Sequence, residues 1–253
     1  MSSWKRTVSK VIGDAFKVHI VRKGRAGPLL EEDTLAQFLH TFEIDCVFDV
    51  GANAGQYAWM LRRIGYGGAI VSVEPIPTLA RLLRSAAAKD RRWFVEAEAL
   101  SDVDSNMTFN IMKNNVFSSL KLPSNVETPL FENMNRVVET IDVKATRLED
   151  LYDRYQAQLQ FRRPFLKMDT QGNDLAVARG AGQRLSCFRG LQSELAIKRL
   201  YEGQSGYREA IDFYEDAGFV LSAFVPNNAG HFPDLIEIDC IMYNSRLTDP
   251  QRN

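Results

Sequence analysis

Histidine and cysteine are scarce in this chain, three of each in 253 residues, and neither sign of charge is in surplus, with 31 Lys and Arg against 32 Asp and Glu. That balance leaves no overall field pointing to nucleic acid or to an acidic partner. Cys46, Cys187 and Cys240 stand far apart in apolar runs, which reads as reduced core thiols in a cytoplasmic protein rather than a disulfide framework or a zinc site. No apolar run approaches the roughly 20 residues of a membrane helix. The N-terminus lacks the apolar h-region of a secretory signal. What remains, 45% hydrophobic and 25% charged residues, is the composition of a globular chain long enough for one large α/β domain or two small ones.

The first 25 residues differ from the rest. Lys5, Arg6, Lys10, Lys17, Arg22, Lys23 and Arg25 face a single acid, Asp14, and Val8, Val11, Ile12, Ala15 and Phe16 have helical spacing. Such a helix could lie on an anionic membrane surface, cover a substrate entrance, or pack on the main domain with a solvated basic face. The expected organisation is a helical extension over 1–45, a main domain over 46–245 and a short tail over 246–253.

Within the main domain, strand-like and helical patterns alternate. Strands are expected at Cys46–Val50, Ala69–Val73, Trp93–Ala97, Phe165–Met168 and Leu191–Leu195. Helices are expected at Gln56–Ile64 and Leu79–Lys89, from about Leu175, and at Tyr207–Ala217. Alternation of this kind predicts a mostly parallel sheet with helices on both faces. Phe219–Val225 and Leu235–Tyr243 follow without a helix between them and should pair antiparallel, putting a reversed strand at or near the sheet edge. The alternation lapses between Ser101 and Leu151, where Met107–Met112 and Val137–Lys144 look like strands. Residues 102–145 are either an insertion beyond the C-terminal ends of the strands, where open α/β sheets bind ligands, or an ordinary surface loop.

The loop "DVGANAG" ends the first strand with Asp49, Gly51 and Gly55. It lacks the G-x-G-x-x-G spacing of a dinucleotide-binding turn, and a pyrophosphate would not want the Asp49 carboxylate beside it. An acid there suits a ligand with an ammonium or sulfonium group, while glycine permits close backbone approach. Glu74 ends the next strand in "VSVEP", where a carboxylate can accept both ribose hydroxyls of a nucleoside. "EALSD", Glu98 to Asp102, follows the third strand, at the position expected beside an adenine. In that order, the three signals point to S-adenosylmethionine.

The segments "VFDVGANAGQYAWMLRRIGYGGAIVSVEP", "EALSD", "FLKMDTQGNDLAVARGAG", "LQSELA" and "IEIDCIMYN" together resemble the FkbM family of S-adenosylmethionine-dependent O-methyltransferases, over roughly residues 45–245. The resemblance implies a Rossmann-like methyltransferase fold, a seven-stranded sheet ending in a reversed strand, and methyl transfer to an oxygen, commonly a sugar or secondary-metabolite hydroxyl. The chain departs from the family at Gln171, where an acid is common, and at Asp174, where glutamate is, which weakens a metal role for that segment. The candidate cofactor residues are Asp49, Gly51, Ala52, Asn53, Gly55, Tyr57, Glu74, Pro75, Leu100, Ser101, Asp102 and Asp169.

Methyl transfer from a sulfonium is an in-line displacement, so a protein must align the acceptor hydroxyl and take its proton. Alignment can lower the barrier by about 7–11 kcal/mol and a positioned base can add about 10²–10⁴ in rate. Asp169, ending the strand "FLKMD", is the first candidate on the acceptor side. Lys167, two residues earlier, points to the same face and would keep it ionised. The pair could orient or deprotonate the hydroxyl, or be purely structural. Glu194 at the next strand end and His231 in the turn-rich "NNAGHFPD" are the other candidates, whereas His19 and His40 have no supporting context. If Mg²⁺ takes part, Asp169 and Glu194, with Asp239 nearby, are the residues to hold it. Competing readings are an NAD-dependent oxidoreductase and a non-catalytic methyltransferase-like module. The expected partner is a hydroxyl-bearing small molecule or glycan.

Overall fold

The computed structural model describes residues 26–227 and 231–247. The amphipathic pattern over Val8–Phe16 therefore lies outside the described residues. The described helices are α1 (Ala26–Thr41), α2 (Gln56–Arg63), α3 (Pro77–Ala87), α4 (Leu148–Leu159), α5 (Asp174–Gly180) and α6 (Tyr207–Asp216). The strands are β1 (Cys46–Val50), β2 (Ala69–Val73), β3 (Trp93–Glu96), β4 (Ala99–Ser101), β5 (Ser105–Met112), β6 (Val137–Arg147), β7 (Pro164–Met168), β8 (Gly190–Ala196), β9 (Phe219–Asn227) and β10 (Glu237–Asn244).

The main sheet has seven strands in the order β3-β2-β1-β7-β8-β10-β9. The β3–β2, β2–β1, β1–β7 and β7–β8 pairings are parallel, and β10 runs antiparallel to both β8 and β9. This is the Rossmann-like α/β fold with a reversed C-terminal strand, and that strand lies second from the edge. Every residue of β1 and of β7 is buried, as central parallel strands covered on both faces require. The register neighbours Phe48, Leu166 and Leu191 share a core with Tyr152 and Tyr155 of α4 on one face. On the other face Val47, Ile70 and Phe165 share a core with Leu35 and Phe38 of α1 and Leu61 of α2.

The chain leaves β1 towards β2 on one side, and β7 pairs on the other. The gap between those two departures is the topological switch point, where open α/β sheets bind ligands. A second, three-stranded sheet in the order β4-β6-β5 comes from the region where the alternation lapsed. Its long hairpin pairs Met107 with Val143 and Phe109 with Ile141. Helix α4 is a difference from the sequence reading. It follows β6 with no glycine or proline to mark the change, and only Leu148, Leu151, Tyr152 and Tyr155, buried on one face, betray it.

Gly51 is where β1 and β7 come together. It has φ 78°, and a Cβ there would lie 1.8 Å from the carbonyl oxygen of Asp169. The close approach expected of this glycine is thus made first to the protein's own backbone. Gly51→Ala is expected to cost at least about 3 kcal/mol, left-handed strain added to overpacking. An unchanged urea midpoint in that variant would refute the close approach.

Candidate active site

Two residues beyond the apolar row Ile70–Val47–Phe165, the same face of the sheet turns polar. Ser72, Asp49, Lys167 and Gln192 are successive register neighbours across β2, β1, β7 and β8, and all four are buried. The indole Nε1–H of Trp93 donates to Ser72 Oγ at 2.9 Å, and Ser72 donates to Asp49 Oδ2 at 3.0 Å. Asp49 Oδ1 lies 3.3 Å from Lys167 Nζ, which donates to Gly51 O at 3.3 Å and stands 3.6 Å from Asp169 Oδ2. Burial alone would lower the Lys167 pKa, but the carboxylates of Asp169 and Asp49 outweigh it and hold it well above the ordinary lysine value. The ammonium also lies 5.2 Å from the centroid of the Tyr57 ring. The Tyr57 hydroxyl donates to Gln192 Oε1 at 2.9 Å, and Gln192 Nε2 donates to Glu31 Oε1 of α1 at 2.8 Å and to Asp239 Oδ2 at 3.2 Å.

Above this row a cavity of about 550 Å³ opens at the switch point. One end is built by the loops after β1 and β2. Gly55, with φ 92°, opens α2, and its α-carbon is packed so closely by Leu83 and Trp93 that a Cβ would lie 2.9 Å from Leu83 Cδ2. Glu74 is held at the wall by two main-chain donors, Asn53 N–H to Oε2 at 2.8 Å and Ile76 N–H to Oε1 at 2.9 Å. Burial pushes its pKa up to about 7, against the lowering effect of those two hydrogen bonds. Gly51, Ala52, Asn53, Tyr57, Pro75 and Leu100 also line the cavity.

Four of the expected cofactor residues, Asp49, Gly55, Ser101 and Asp102, do not. Asp49 is fully buried beneath the wall, and Lys167 and Ser72 take the charge that was expected to face a cationic ligand. Ser101 and Asp102 are also off the wall, Ser101 donating to Asp102 Oδ1 at 3.2 Å. One turn earlier in the same motif, Glu98, Ala99 and Leu100 line the cavity instead, with Glu98 bound to Arg154 at 2.7 Å.

At the other end stand Asp169, Glu194, Glu237 and Asp239 from three strand ends, joined by Glu31 and Glu32 of α1. Glu32 is paired with Arg63 at 2.6 Å. The crowding raises proton affinities. Glu194 is pushed well above the ordinary glutamate value by burial and then by Glu237, Asp169, Asp239 and Asp174. Asp239 is raised to about 8 by burial and then by Asp169 and Glu31. His231 is not on this wall; its ring packs edge-on against Phe131 with centroids 5.1 Å apart.

Three residues outside the expected site set organise this end: Gln192, and Gln171 and Asp174, which the sequence marked only as departures from the family. Asp174 accepts from Thr170 N–H, Thr170 Oγ1, Ser193 Oγ and Glu194 N–H, tying the turn after β7 to β8. Gln192 joins Tyr57 to Glu31 and Asp239, as described. Gln171 spans the two acids assigned to Mg²⁺, donating from Nε2 to Asp169 Oδ1 at 2.9 Å and to Glu194 Oε2 at 3.1 Å. An amide NH₂ thus sits between those carboxylates, and among the described residues no group of three or more His, Cys, Asp or Glu is arranged to hold a metal ion. The pair as it stands does not fit Mg²⁺. Only the local spacing Asp169-x-Gln171 hinted at this contact in the sequence.

This geometry agrees with the comparison to protein families, in which the model of the methyltransferase FkbM domain matches residues 49–221. The chain belongs to the FkbM methyltransferase family. The match begins at Asp49 near the end of β1 and ends at Leu221 in β9, so β10 is the strand lining the cavity that lies wholly outside it. None of the curated proteins matches the chain. Among solved structures it is similar to magnesium protoporphyrin IX methyltransferase from Synechocystis, at 11% identity and a TM-score of 0.46 over 97% of this chain and 99% of that one. It is also similar to fibrillarin from Aeropyrum pernix, at 14% identity and a TM-score of 0.45 over 84% of this chain and 73% of that one.

Removing Lys167 would leave Asp49 buried without its cation. Lys167→Met is expected to cost about 3–5 kcal/mol, the size found when one partner of a buried ion pair is deleted. Asp49→Asn in the same chain should recover part of that loss. Equal urea midpoints for the single and double variants would show that the two charges are not coupled.

Proposed function

We propose that this FkbM-family protein transfers a methyl group from S-adenosylmethionine to a hydroxyl, on a sugar of a polysaccharide, glycolipid or glycosylated metabolite. The observation that carries the reading is the division of one cavity into two chemically distinct ends. At one end the two oxygens of Glu74 are aimed by main-chain N–H groups and keep lone pairs for the two ribose hydroxyls of a nucleoside. At the other, Asp169 and Glu194 face the same space as Lys167, Gln192 and Asp239. Gly51, Ala52, Asn53, Tyr57 and Pro75 complete the cofactor end, with Gly55 behind them opening α2, and Glu98, Ala99 and Leu100 take the adenine side.

A sugar suits the acceptor end because hydroxyl groups are donors and carboxylates are acceptors. The donor is already activated, so the protein's tasks are alignment and proton removal. Asp169, held in direction by Lys167 at 3.6 Å, orients the hydroxyl. The neighbouring acids, with their raised proton affinities, suit proton removal near neutral pH.

The extension over 1–45 and the insertion over 102–145 shape the acceptor entrance in this reading. Pro28, Glu31 and Glu32 from the first, and Asn115, Phe117 and Ser118 from the second, line the cavity. A cytoplasmic location agrees with the free thiols of Cys46, Cys187 and Cys240. No helix among the described residues is long and apolar enough to cross a membrane. The deciding assay is transfer of a tritiated methyl group from S-adenosylmethionine to a glycan extract of the producing cell. Calorimetry with S-adenosylhomocysteine and, separately, NADH tests the cofactor; binding of NADH alone would replace this reading with the oxidoreductase.

Ribose hydroxyls favour the ionised form of Glu74, so affinity for S-adenosylhomocysteine is expected to rise with pH through about 7 and then level off. Glu74→Gln should abolish that rise and, above it, weaken binding by about 1.5–3 kcal/mol. A wild-type affinity that does not change across this range would remove Glu74 from the ribose.

Asp169→Asn is expected to leave S-adenosylhomocysteine affinity within about twofold and to lower turnover by about 10²–10⁴. Turnover at the parent rate would take the acceptor away from Asp169.

A further inference from the structure

Gln171 lies in the turn after β7, in the left-handed conformation with φ 54°. Every polar group of its side chain is engaged. The two hydrogens on Nε2 go to carboxylate oxygens on two different strand ends, Asp169 Oδ1 and Glu194 Oε2. Oε1 accepts from the Tyr201 hydroxyl at 2.8 Å, a donor that also lies 2.9 Å from Phe117 O. The main-chain oxygen of Gln171 accepts from Ser119 Oγ at 2.7 Å. The amide faces this way because turning it over would set its oxygen against two carboxylates. Gly172 beside it has no room for a Cβ, which would come 2.8 Å from the Tyr201 ring, so the turn and its amide are held from both sides.

Bridging two carboxylates is the task a divalent cation performs in many acidic sites. An amide performs the same geometric task with no net charge. The difference is chemical. A dication would draw electron density from both acids and make them poor proton acceptors, whereas a neutral NH₂ holds them in place and leaves them basic.

We propose that the Gln171 carboxamide takes the place of a divalent cation in the acceptor site, so that Asp169 and Glu194 work as a metal-independent pair that holds the acceptor hydroxyl and removes its proton. The inference rests on the methyl-transfer reading above and adds to it the cofactor requirement and the fate of the proton. In the step, the acceptor oxygen bonds to the methyl carbon while the carbon–sulfur bond breaks, its electron pair returning to sulfur as the sulfonium becomes a thioether. The hydroxyl proton goes to Glu194. Asp169, whose Oδ2 lies 3.6 Å from Lys167 Nζ, holds the hydroxyl in line. Among the described residues, Glu237, Asp169, Asp239 and Asp174 stand around Glu194, and Gln171 Nε2 donates to its Oε2 at 3.1 Å. Gln171 itself is a positioning residue that acts through the two acids.

The test uses the full chain and Mn²⁺ alone as the probe, followed by its paramagnetic resonance signal, so it needs no acceptor. The wild-type protein is expected to bind no Mn²⁺ in saturable fashion. Gln171→Glu, which places a third carboxylate between the other two, should bind it, and adding Asp169→Asn should abolish that binding. Gln171→Ala, which vacates the space, serves as the second variant if Gln171→Glu does not fold, and should also gain Mn²⁺ binding that depends on Asp169. Saturable binding by the wild type that Asp169→Asn removes would overturn the proposal. So would the absence of binding in a folded Gln171→Glu variant. In the tritium assay, wild-type transfer should be unchanged by EDTA, and loss of transfer that Mg²⁺ restores would equally overturn it. If no label moves under any condition, the methyl-transfer reading fails on its own, while the Mn²⁺ titration still decides what the amide replaces.

Discussion

The buried ammonium of Lys167 is the constraint on which the cavity depends. It stands between two carboxylates from different strand ends, Asp49 beneath the wall and Asp169 on it, and it also reaches the carbonyl of Gly51. A charge this deep is tolerated only with compensating partners, and deleting one partner costs far more than the pair contributes. The cation therefore fixes three things at once: the end of β1, the end of β7, and the direction of the Asp169 carboxylate. Gly51 is glycine for the same reason, because the two strand ends meet so closely that a methyl group would enter the Asp169 carbonyl. The switch point of the topology and the charge centre of the site are thus one place.

From that centre the polar row spreads both ways along the sheet. Towards the edge, Ser72 and Trp93 spend the second oxygen of Asp49. Towards the C-terminal strands, Tyr57 and Gln192 carry the contact to Glu31 on α1 and Asp239 on β10. Among the described residues the end with Asp169 and Glu194 holds more acids than cations, and burial with their mutual repulsion raises the pKa values of Glu194 and Asp239. Two glutamines hold these acids in position without neutralising them, Gln192 between Glu31 and Asp239 and Gln171 between Asp169 and Glu194. The site keeps its negative charge and its geometry together.

The fold was legible because its signals are local. Alternating strand and helix patterns gave the parallel sheet, and two strands in succession at the end gave the reversed strand. Helix α4 was missed because β6 runs into it without a breaking residue. The turn at the Glu74 end of the cavity was legible in part for the same local reason: glycines and an acid at a strand end mark a turn that must be shaped one way. Asp49 was placed in the cavity because its position along the strand is visible in sequence, while its partner Lys167 lies on a neighbouring strand and register is not. Of the three residues expected from "EALSD", Leu100 lines the cavity, with Glu98 and Ala99 beside it, whereas Ser101 and Asp102 do not. His231 drew attention by its chemistry alone, and packing sets it against Phe131 instead.

The acceptor end was the least legible, and the reason lies in what holds it. Its bonds join residues far apart in sequence, Gln192 to Glu31, Gln171 to Tyr201, and Ser119 to the Gln171 carbonyl. Each pair is set by the packing of separate elements, and none leaves a periodic trace. A carboxamide is the side chain suited to such a junction, since it offers two donors on one nitrogen and an acceptor on the adjoining oxygen. A carboxylate at 171 would repel Asp169 and Glu194 unless a cation came with it, and an alkyl group would leave Tyr201 and both acids to be satisfied some other way. Glutamine at 171 thus holds Asp169 and Glu194 together with an uncharged donor, while Lys167 sets the direction of the Asp169 carboxylate.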